Sequence, residues 1–405
     1  MSSTPARMPW GFVMALSWAQ LVAYGVLFYA FALFIEPMGQ ELGWSKSALA
    51  GAYSLALGTS AFLGYPVGRL VDRGHGRMVM VGGALLATVL LLLWSRVESY
   101  AVFLLIWAGI GVAMSGVFYD VGFAVLARRV GLLLRRGITV MTLIGGFAST
   151  VFIPLTHWLI EAQGWRGALV SLAILNLVFC AGLSLISLPK APPRQPAQAA
   201  LATTTESRPH PRWVLKEFSF WGFIVTLVLQ GIISTGLPIH LIPFLTERGF
   251  SLEMAVAAYS IIGPAQVAAR FVAGFGERGL SLKVMGFSTL VAIVLSFALI
   301  SFIPAGSWLI FVFAALYGAG NGLMTIVRSL LPRELFGRED YGAIQGMIAT
   351  PVRLAMAAAP FAIGALWALE GSYGALLTIF LLMSLGALGA FMLMVAPAVG
   401  SGVRD

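Results

Sequence analysis

Apolar stretches of about twenty residues recur along this chain, each closed by a short polar break. A helix crosses the hydrocarbon core of a bilayer with about 20 residues. The pattern predicts twelve crossings, over 10–35, 47–70, 78–95, 100–126, 137–160, 167–188, 218–243, 252–275, 282–303, 308–331, 342–369 and 373–397. The first run begins at Trp10, is too long for a signal-peptide core, and reads as a retained helix. The one long polar stretch is rich in Pro, Ala, Gln and Thr and reads as a flexible linker. The expected organisation is a six-helix bundle over 1–188, a cytoplasmic linker over 189–217 and a second six-helix bundle over 218–405.

Composition sharpens this picture. Of 405 residues 59% are apolar and 10% charged, against roughly 25% charged in an average soluble protein. So little polar surface implies a lipid solvent. The formal charge of +9 would suit nucleic acid, but its distribution argues otherwise. Eighteen Lys and Arg residues fall in one set of alternate loops and four in the other. By the positive-inside rule both termini lie in the cytoplasm, as in an integral plasma-membrane protein of the bacterial inner-membrane kind, working as a monomer.

The two halves repeat each other. ELGWSKSALAGAYSLALG from Glu41 aligns with ERGFSLEMAVAAYSIIG from Glu247 at an offset of 206, and Pro37 with Pro243 at the same offset. GWRGAL from Gly164 aligns with GSYGAL from Gly371, and Asp72-Arg73 with Glu277-Arg278. Parallel six-helix halves are a transporter arrangement, with a small-molecule substrate bound between them near the midplane.

Other chemistries find no footing. The single Cys180 rules out a disulfide framework. His75, His157, His210 and His240 are scattered, and neither an HExxH pair nor a GxSxG elbow occurs, so no metal, cofactor or enzymatic role is expected. The tail after the last span is too short for a signalling domain, which disfavours a nutrient sensor. Gly318-Ala-Gly320-Asn321-Gly322 lacks phosphate-loop spacing and follows no strand. Its GxxxG spacing predicts close helix packing, as does Gly64 with Gly68. With no ATP-binding motif, the driving force is expected to be protons or a counter-substrate.

The loop after the second span carries Gly64, Gly68, Arg69, Asp72, Arg73 and Arg77. It resembles the signature loop of the major facilitator superfamily, in which glycines pack helices tightly and acidic and basic residues form a cytoplasmic gate. Within that superfamily the chain resembles the monocarboxylate-transporter and oxalate/formate-exchanger branch. The resemblance is carried by Tyr24-Gly25, Trp44-Ser45, Arg135-Arg136-Gly137, Gly164-Trp165-Arg166-Gly167 and Gln266 through Arg270. It implies that Arg270 binds a substrate carboxylate. Animal members carry an Asp four residues before that arginine and a Lys in the first span. Here Gln266 and Phe28 stand instead, so their proton-coupling groups are not carried over.

Four ionised residues lie well inside spans: Asp120, Arg270, Arg328 and Arg353. Three arginines would cost on the order of 8–10 kcal/mol to insert unaided, so each should face a cavity, a partner or a ligand. Their net charge of +2 favours an anionic substrate, and guanidinium matches a carboxylate with two donors. Arg270 is the leading ligand, and Arg353 is expected to bind substrate or to gate. Asp120 and Arg328 fall at nearly equivalent places in the repeat, and two readings stay open: a static ion pair, or Asp120 as proton carrier. His240, between Pro238 and Pro243, is expected in a broken helix lining the cavity, where it would handle substrate or protons. Gln230, Tyr24, Tyr29, Tyr119 and Asn321 are candidate neutral lining groups. The expected activity is secondary transport of a small organic anion. The alternative is proton-driven efflux of a drug, a hydrophobic metabolite or an inorganic oxyanion.

Overall fold

A computed structural model of the chain describes residues 8–188, 211–275, 281–370 and 373–395. Every expected span is helical over its described residues, apart from local breaks. The first crossing comprises α1 (Trp10–Tyr24), a wide π turn over Gly25–Tyr29, and α2 (Phe31–Leu42). There follow α3 (Lys46–Leu70), α4 (Gly76–Trp94), α5 (Tyr100–Val117), α6 (Tyr119–Val130), α7 (Leu134–Gly145), α8 (Ala148–Leu175) and α9 (Leu183–Ser187). Beyond the linker come α10 (Phe218–Glu247), α11 (Leu252–Phe275), α12 (Leu282–Phe302), α13 (Leu309–Phe336), α14 (Tyr341–Glu370) and α15 (Gly374–Val395). Among the described residues nine stretches are long and apolar enough to span a membrane. Two of them, Ser47–Trp94 and Leu134–Ser187, have 48 and 54 residues. At 1.5 Å per residue each is more than twice the roughly 30 Å core thickness, so each crosses twice. Gly74 (φ 93°) and Gly164 (φ 69°) turn the chain inside them, in a region where a side chain would be strained. Those eleven crossings, with α14, make twelve.

The chain gathers into two compact units, one of Met1–Pro211 with Phe336–Leu354, the other of Arg212–Leu335 with Ala355–Asp405. The core of the first is aromatic, with Phe34, Trp94, Phe103 and Trp107 all but sealed from solvent. Phe297, Phe313, Tyr317 and Phe380 fill the second. A similar clasp closes one end of each. In the first, Glu41 accepts from the Trp165 indole and the Arg166 guanidinium, and Arg166 also donates to the carbonyls of Ser95 and Val97. In the second, Glu247 accepts from the Tyr373 amide at 2.9 Å, while Arg248 donates to the carbonyls of Ile300 and Ile303. Of the segments aligned by the sequence repeat, the two acids therefore do the same work.

Two breaks differ from expectation. The helix predicted to break around His240 does not: α10 runs for 30 residues through Pro238 and Pro243. Neighbouring hydroxyls take up carbonyls along it, Ser234 and Thr235 donating to Gly231, and Thr246 to Ile242 and Pro243. The carbonyls that Pro238 and Pro243 leave without an amide donor are those of Ser234 and Ile239, and a membrane helix tolerates such losses where its packed surroundings make them good. The break falls instead in the fourth span, where Phe118 turns extended (φ −80°, ψ 177°) between α5 and α6. A carbonyl released at that depth needs a donor. Gln20 of α1, fully buried, supplies it, donating from Nε2 to the Val117 carbonyl at 2.7 Å.

Within the first unit α3 and α14 run against each other backbone to backbone. A Cβ at Gly68 would fall on the Gly342 carbonyl, and one at Gly346 on the Gly64 carbonyl. Two GxxxG pairs therefore mesh, and only missing side chains permit it. The contact is extended on one side by Thr350, donating to the Ala61 carbonyl at 2.7 Å. On the other, the Asp72 carboxylate accepts from the amides of Gly342 (2.9 Å) and Ala343 (2.7 Å), capping the first turn of α14.

Two predictions follow from these contacts. Gly68→Val should lower stability by at least the roughly 1–3 kcal/mol of an overpacked core, read as a lower melting temperature of the purified protein. An unchanged melting temperature would mean that α3 and α14 separate at no cost. Gln20→Leu should cost about 1–3 kcal/mol by stranding the Val117 carbonyl, with faster amide exchange confined to residues 117–122. Uniform exchange changes would show that Gln20 does not hold the break.

Candidate substrate and coupling site

The interruption at Phe118 puts Asp120 in the first turn of α6, where the unsatisfied amides of a helix start favour a negative charge. Its carboxylate pairs with the guanidinium of Arg353 on α14. Arg353 also donates through Nη1 to the Ser60 hydroxyl at 2.6 Å and to the Ser60 carbonyl at 3.2 Å. Side-chain exposures of 13% for Arg353 and 15% for Asp120 put the pair largely out of water yet not sealed. Removing one partner of such a pair leaves a charge in low dielectric, typically at a cost of 3–5 kcal/mol. All three residues belong to the first unit. Arg328, the partner expected from the repeat, is half-buried on α13 in the second unit. Nothing in the sequence pointed to Ser60 or Gln20. The one available signal is a polar side chain inside an apolar run.

Arg270 is 8% exposed on α11, in the second unit. It donates from Nε to the Gly322 carbonyl at 3.2 Å, and from Nη2 to Gln266 Oε1 at 3.1 Å and Thr325 Oγ1 at 3.3 Å. Two glycines make this possible. A Cβ at Gly318 or Gly322 would collide with the α11 backbone at Ile262 or Gln266. The GxxxG of α13 thus draws α11 close, and Arg270 lies one turn beyond on the same face. Gln266, at the position of the animal members' Asp, holds the guanidinium with a neutral oxygen. Asn321 is half-buried on the same stretch of α13.

His240 lines a small apolar cavity of the second unit with Leu237, Phe244, Phe297 and Phe380. Its Nδ1 lies 3.3 Å from the Tyr373 hydroxyl. Tyr24 and Tyr119 lie close together in the first unit, their rings tilted by 35° with centroids 4.6 Å apart. Arg73, in the turn after α3, is exposed, Arg77 at the start of α4 is half-buried, and Arg69 at the end of α3 sits 6.0 Å from the Tyr65 ring. The Asp72 carbonyl accepts from Arg128, and burial pushes the Asp72 carboxyl up to about 6 against the lowering effect of its two amide donors. Glu277 and Arg278 lie outside the described residues. No cluster of three or more potential metal ligands occurs among the described residues.

Comparison with known proteins agrees with this architecture. The profile of the Major Facilitator Superfamily matches residues 16–360. Human monocarboxylate transporter 11 is 28% identical over an alignment covering 100% of this chain and 80% of that protein. Multidrug resistance protein MdtL of Klebsiella pneumoniae is also 28% identical, over 56% of this chain and 58% of its own length. Among solved structures, the proton:xylose symporter XylE superposes with a TM-score of 0.74 at 13% identity, covering 96% of each chain. The human organic anion transporter MFSD10 does so with a TM-score of 0.69 at 18% identity, over 97% of this chain and 100% of that one. With twelve crossings, paired intramembrane charges and a family match over most of its length, the chain is an integral membrane protein belonging to the major facilitator superfamily of transporters.

Proposed function

We propose that this protein is a secondary transporter of a small organic monocarboxylate, working by proton symport or by exchange. The observation that carries the reading is the Asp120–Arg353 pair. A guanidinium already neutralised by an internal carboxylate is chemically prepared to accept a substrate carboxylate in its place. Protonation of Asp120 removes its charge and releases Arg353, which then takes both carboxylate oxygens of the substrate. One proton and one anion enter together, and the interior charge does not change. In exchange, an incoming carboxylate replaces an outgoing one and Asp120 covers the arginine between them. Arg270 acts as a second anion-binding cation, oriented by Gln266, Thr325 and the Gly322 carbonyl. Tyr24, Tyr119, Asn321 and His240 serve as neutral lining groups, and Arg328 as a further charge in the translocation path.

In this reading both termini are cytoplasmic, the halves 1–188 and 218–405 are the moving bundles, and residues 189–217 join them. The Gly64–Arg77 turn and Glu277–Arg278 form the cytoplasmic gate. The likeness to a multidrug resistance protein favours a second reading, efflux of a neutral or hydrophobic cargo on the same fold. Asp120 is the one acid well inside the spans, and its engagement with Arg353 weighs against a cationic cargo.

Two variants test the proposal in proteoliposomes. Arg270→Ala should lower carboxylate uptake about tenfold to a hundredfold, the worth of its charged hydrogen bonds, with insertion and melting temperature retained. Unchanged uptake kinetics would remove Arg270 from the site. Asp120→Asn should keep carboxylate exchange but lose stimulation by an inward proton gradient. Normal proton-driven accumulation in that variant would exclude Asp120 as the coupling group.

A further inference from the structure

Beside the Asp120–Arg353 pair the first unit carries an aromatic wall in two layers. The inner layer, Phe34, Trp94, Phe103 and Trp107, is buried and fills the core. The outer layer, Tyr24, Phe28, Tyr29, Tyr53 and Tyr119, is only half-buried. Its members contact one another and the core edge to edge or face to face. Tyr24 stacks on Phe118 at 4.3 Å, Tyr119 on Phe123 at 5.1 Å and Tyr53 on Phe31 at 4.9 Å, while Phe28 meets Tyr53 at 5.8 Å and Tyr29 at 5.1 Å. The layer is also seated rather than loose. A Cβ at Gly145 would fall on the Tyr119 hydroxyl, so the phenol occupies the space that glycine leaves.

The wall shares a helix face with the anion-binding group. Tyr53 and Ser60 are seven residues apart on α3, two turns and about 10 Å along one side, and Ser60 is the residue that holds Arg353. Phe62, on the opposite side of α3, is 67% exposed. Tyr53 therefore lies on the side of α3 that bears Ser60, and Phe28 joins it there by ring contact at 5.8 Å, while Tyr24 packs at 4.6 Å against Tyr119, the neighbour of Asp120. A carboxylate held at Arg353 directs the body of its molecule along that side, toward Tyr53, Phe28 and Tyr24. A wall meant only for aliphatic chains would be built of Leu, Ile and Val. This one offers ring faces and edges, with Phe28 bridging Tyr24 at 6.0 Å and Tyr53 at 5.8 Å.

We infer that the monocarboxylate taken by this site is aromatic: a carboxylate on a flat ring, its charge at Arg353 and its ring against Tyr24, Phe28 and Tyr53. The inference rests on the carboxylate reading above and narrows it. Aromatic pairing adds a preference beyond area burial worth about threefold to tenfold in affinity. Cyclohexanecarboxylate is the decisive comparison, because it matches benzoate in charge and approximate size and is the more hydrophobic of the two. A preference for benzoate over it cannot come from area alone.

The test is uptake of labelled benzoate, cyclohexanecarboxylate and propionate by the full chain in proteoliposomes, as kcat/KM for each. The expected order is benzoate over cyclohexanecarboxylate by threefold or more. That ratio should fall toward unity in Tyr53→Leu and in Phe28→Leu. It is internal to each preparation, so a variant that inserts poorly does not distort it, and the unmodified protein alone decides if neither variant folds. Saturable uptake with benzoate and cyclohexanecarboxylate handled equally overturns the aromatic assignment and leaves carboxylate transport standing. Absence of uptake for all three overturns the carboxylate reading itself, and this inference with it.

Discussion

At bilayer depth there is no water to satisfy a backbone carbonyl, and an interruption in a spanning helix survives only where the protein supplies a donor. The fourth span has such an interruption at Phe118, and the buried amide of Gln20 answers it at the Val117 carbonyl. Much of the candidate chemistry follows from that one hydrogen bond. Because the helix restarts at Tyr119, Asp120 stands at a helix beginning rather than in mid-helix, next to amides that favour its charge. Tyr119 and Phe123, one turn apart on the same short helix, set their rings in parallel. A continuous fourth helix would rotate all three away from these positions.

The second constraint is backbone proximity. The Gly64/Gly68 and Gly342/Gly346 pairs bring α3 and α14 together so closely that side chains are excluded. The same approach sets the register in which Arg353 reaches Ser60 and Asp120, and Asp72 reaches the α14 amides. In lipid, apolar area gives little drive for helices to associate, so small residues and polar cross-links carry the contact. On α11 and α13 the solution recurs, with Gly318 and Gly322 admitting the backbone that delivers Arg270. Glycines that in the sequence superficially resemble a phosphate loop are thus what allows a guanidinium to be oriented inside a membrane.

What was legible in the sequence was what depends on composition along one helix. Span positions follow from apolar length, and α11 covers the expected 252–275. The close packing of GxxxG pairs follows from residue size. Pairing between distant helices was not legible. Asp120 and Arg353 are 233 positions apart, and aligning the halves offered Arg328 instead, because a repeat predicts equivalent places and not which of them touch. The breaks were misjudged for a related reason. Proline announces a lost hydrogen bond, but one missing amide does not by itself end a long apolar helix, and α10 runs past Pro238 and Pro243. At Phe118 no proline stands, and the glutamine that satisfies the released carbonyl is on another helix, visible only once α1 and α5 are packed.

The intramembrane charges also divide unevenly. Asp120 and Arg353 both belong to the first unit and cancel, whereas Arg270 and Arg328 belong to the second. On the proposed function this division separates two tasks. The second unit contributes two guanidinium groups, whose charge does not titrate with pH. The first holds the one titratable acid well inside the spans, against the one arginine whose availability that acid controls. Selectivity for the body of the substrate then falls to the first unit as well, because the aromatic wall adjoins the acid, Tyr119 preceding Asp120 on α6 and packing against Tyr24. Charge attraction alone would admit any small anion. Coupling the same arginine to a proton and to a ring-lined surface makes release of Arg353 productive only when both a proton and a fitting carboxylate are present.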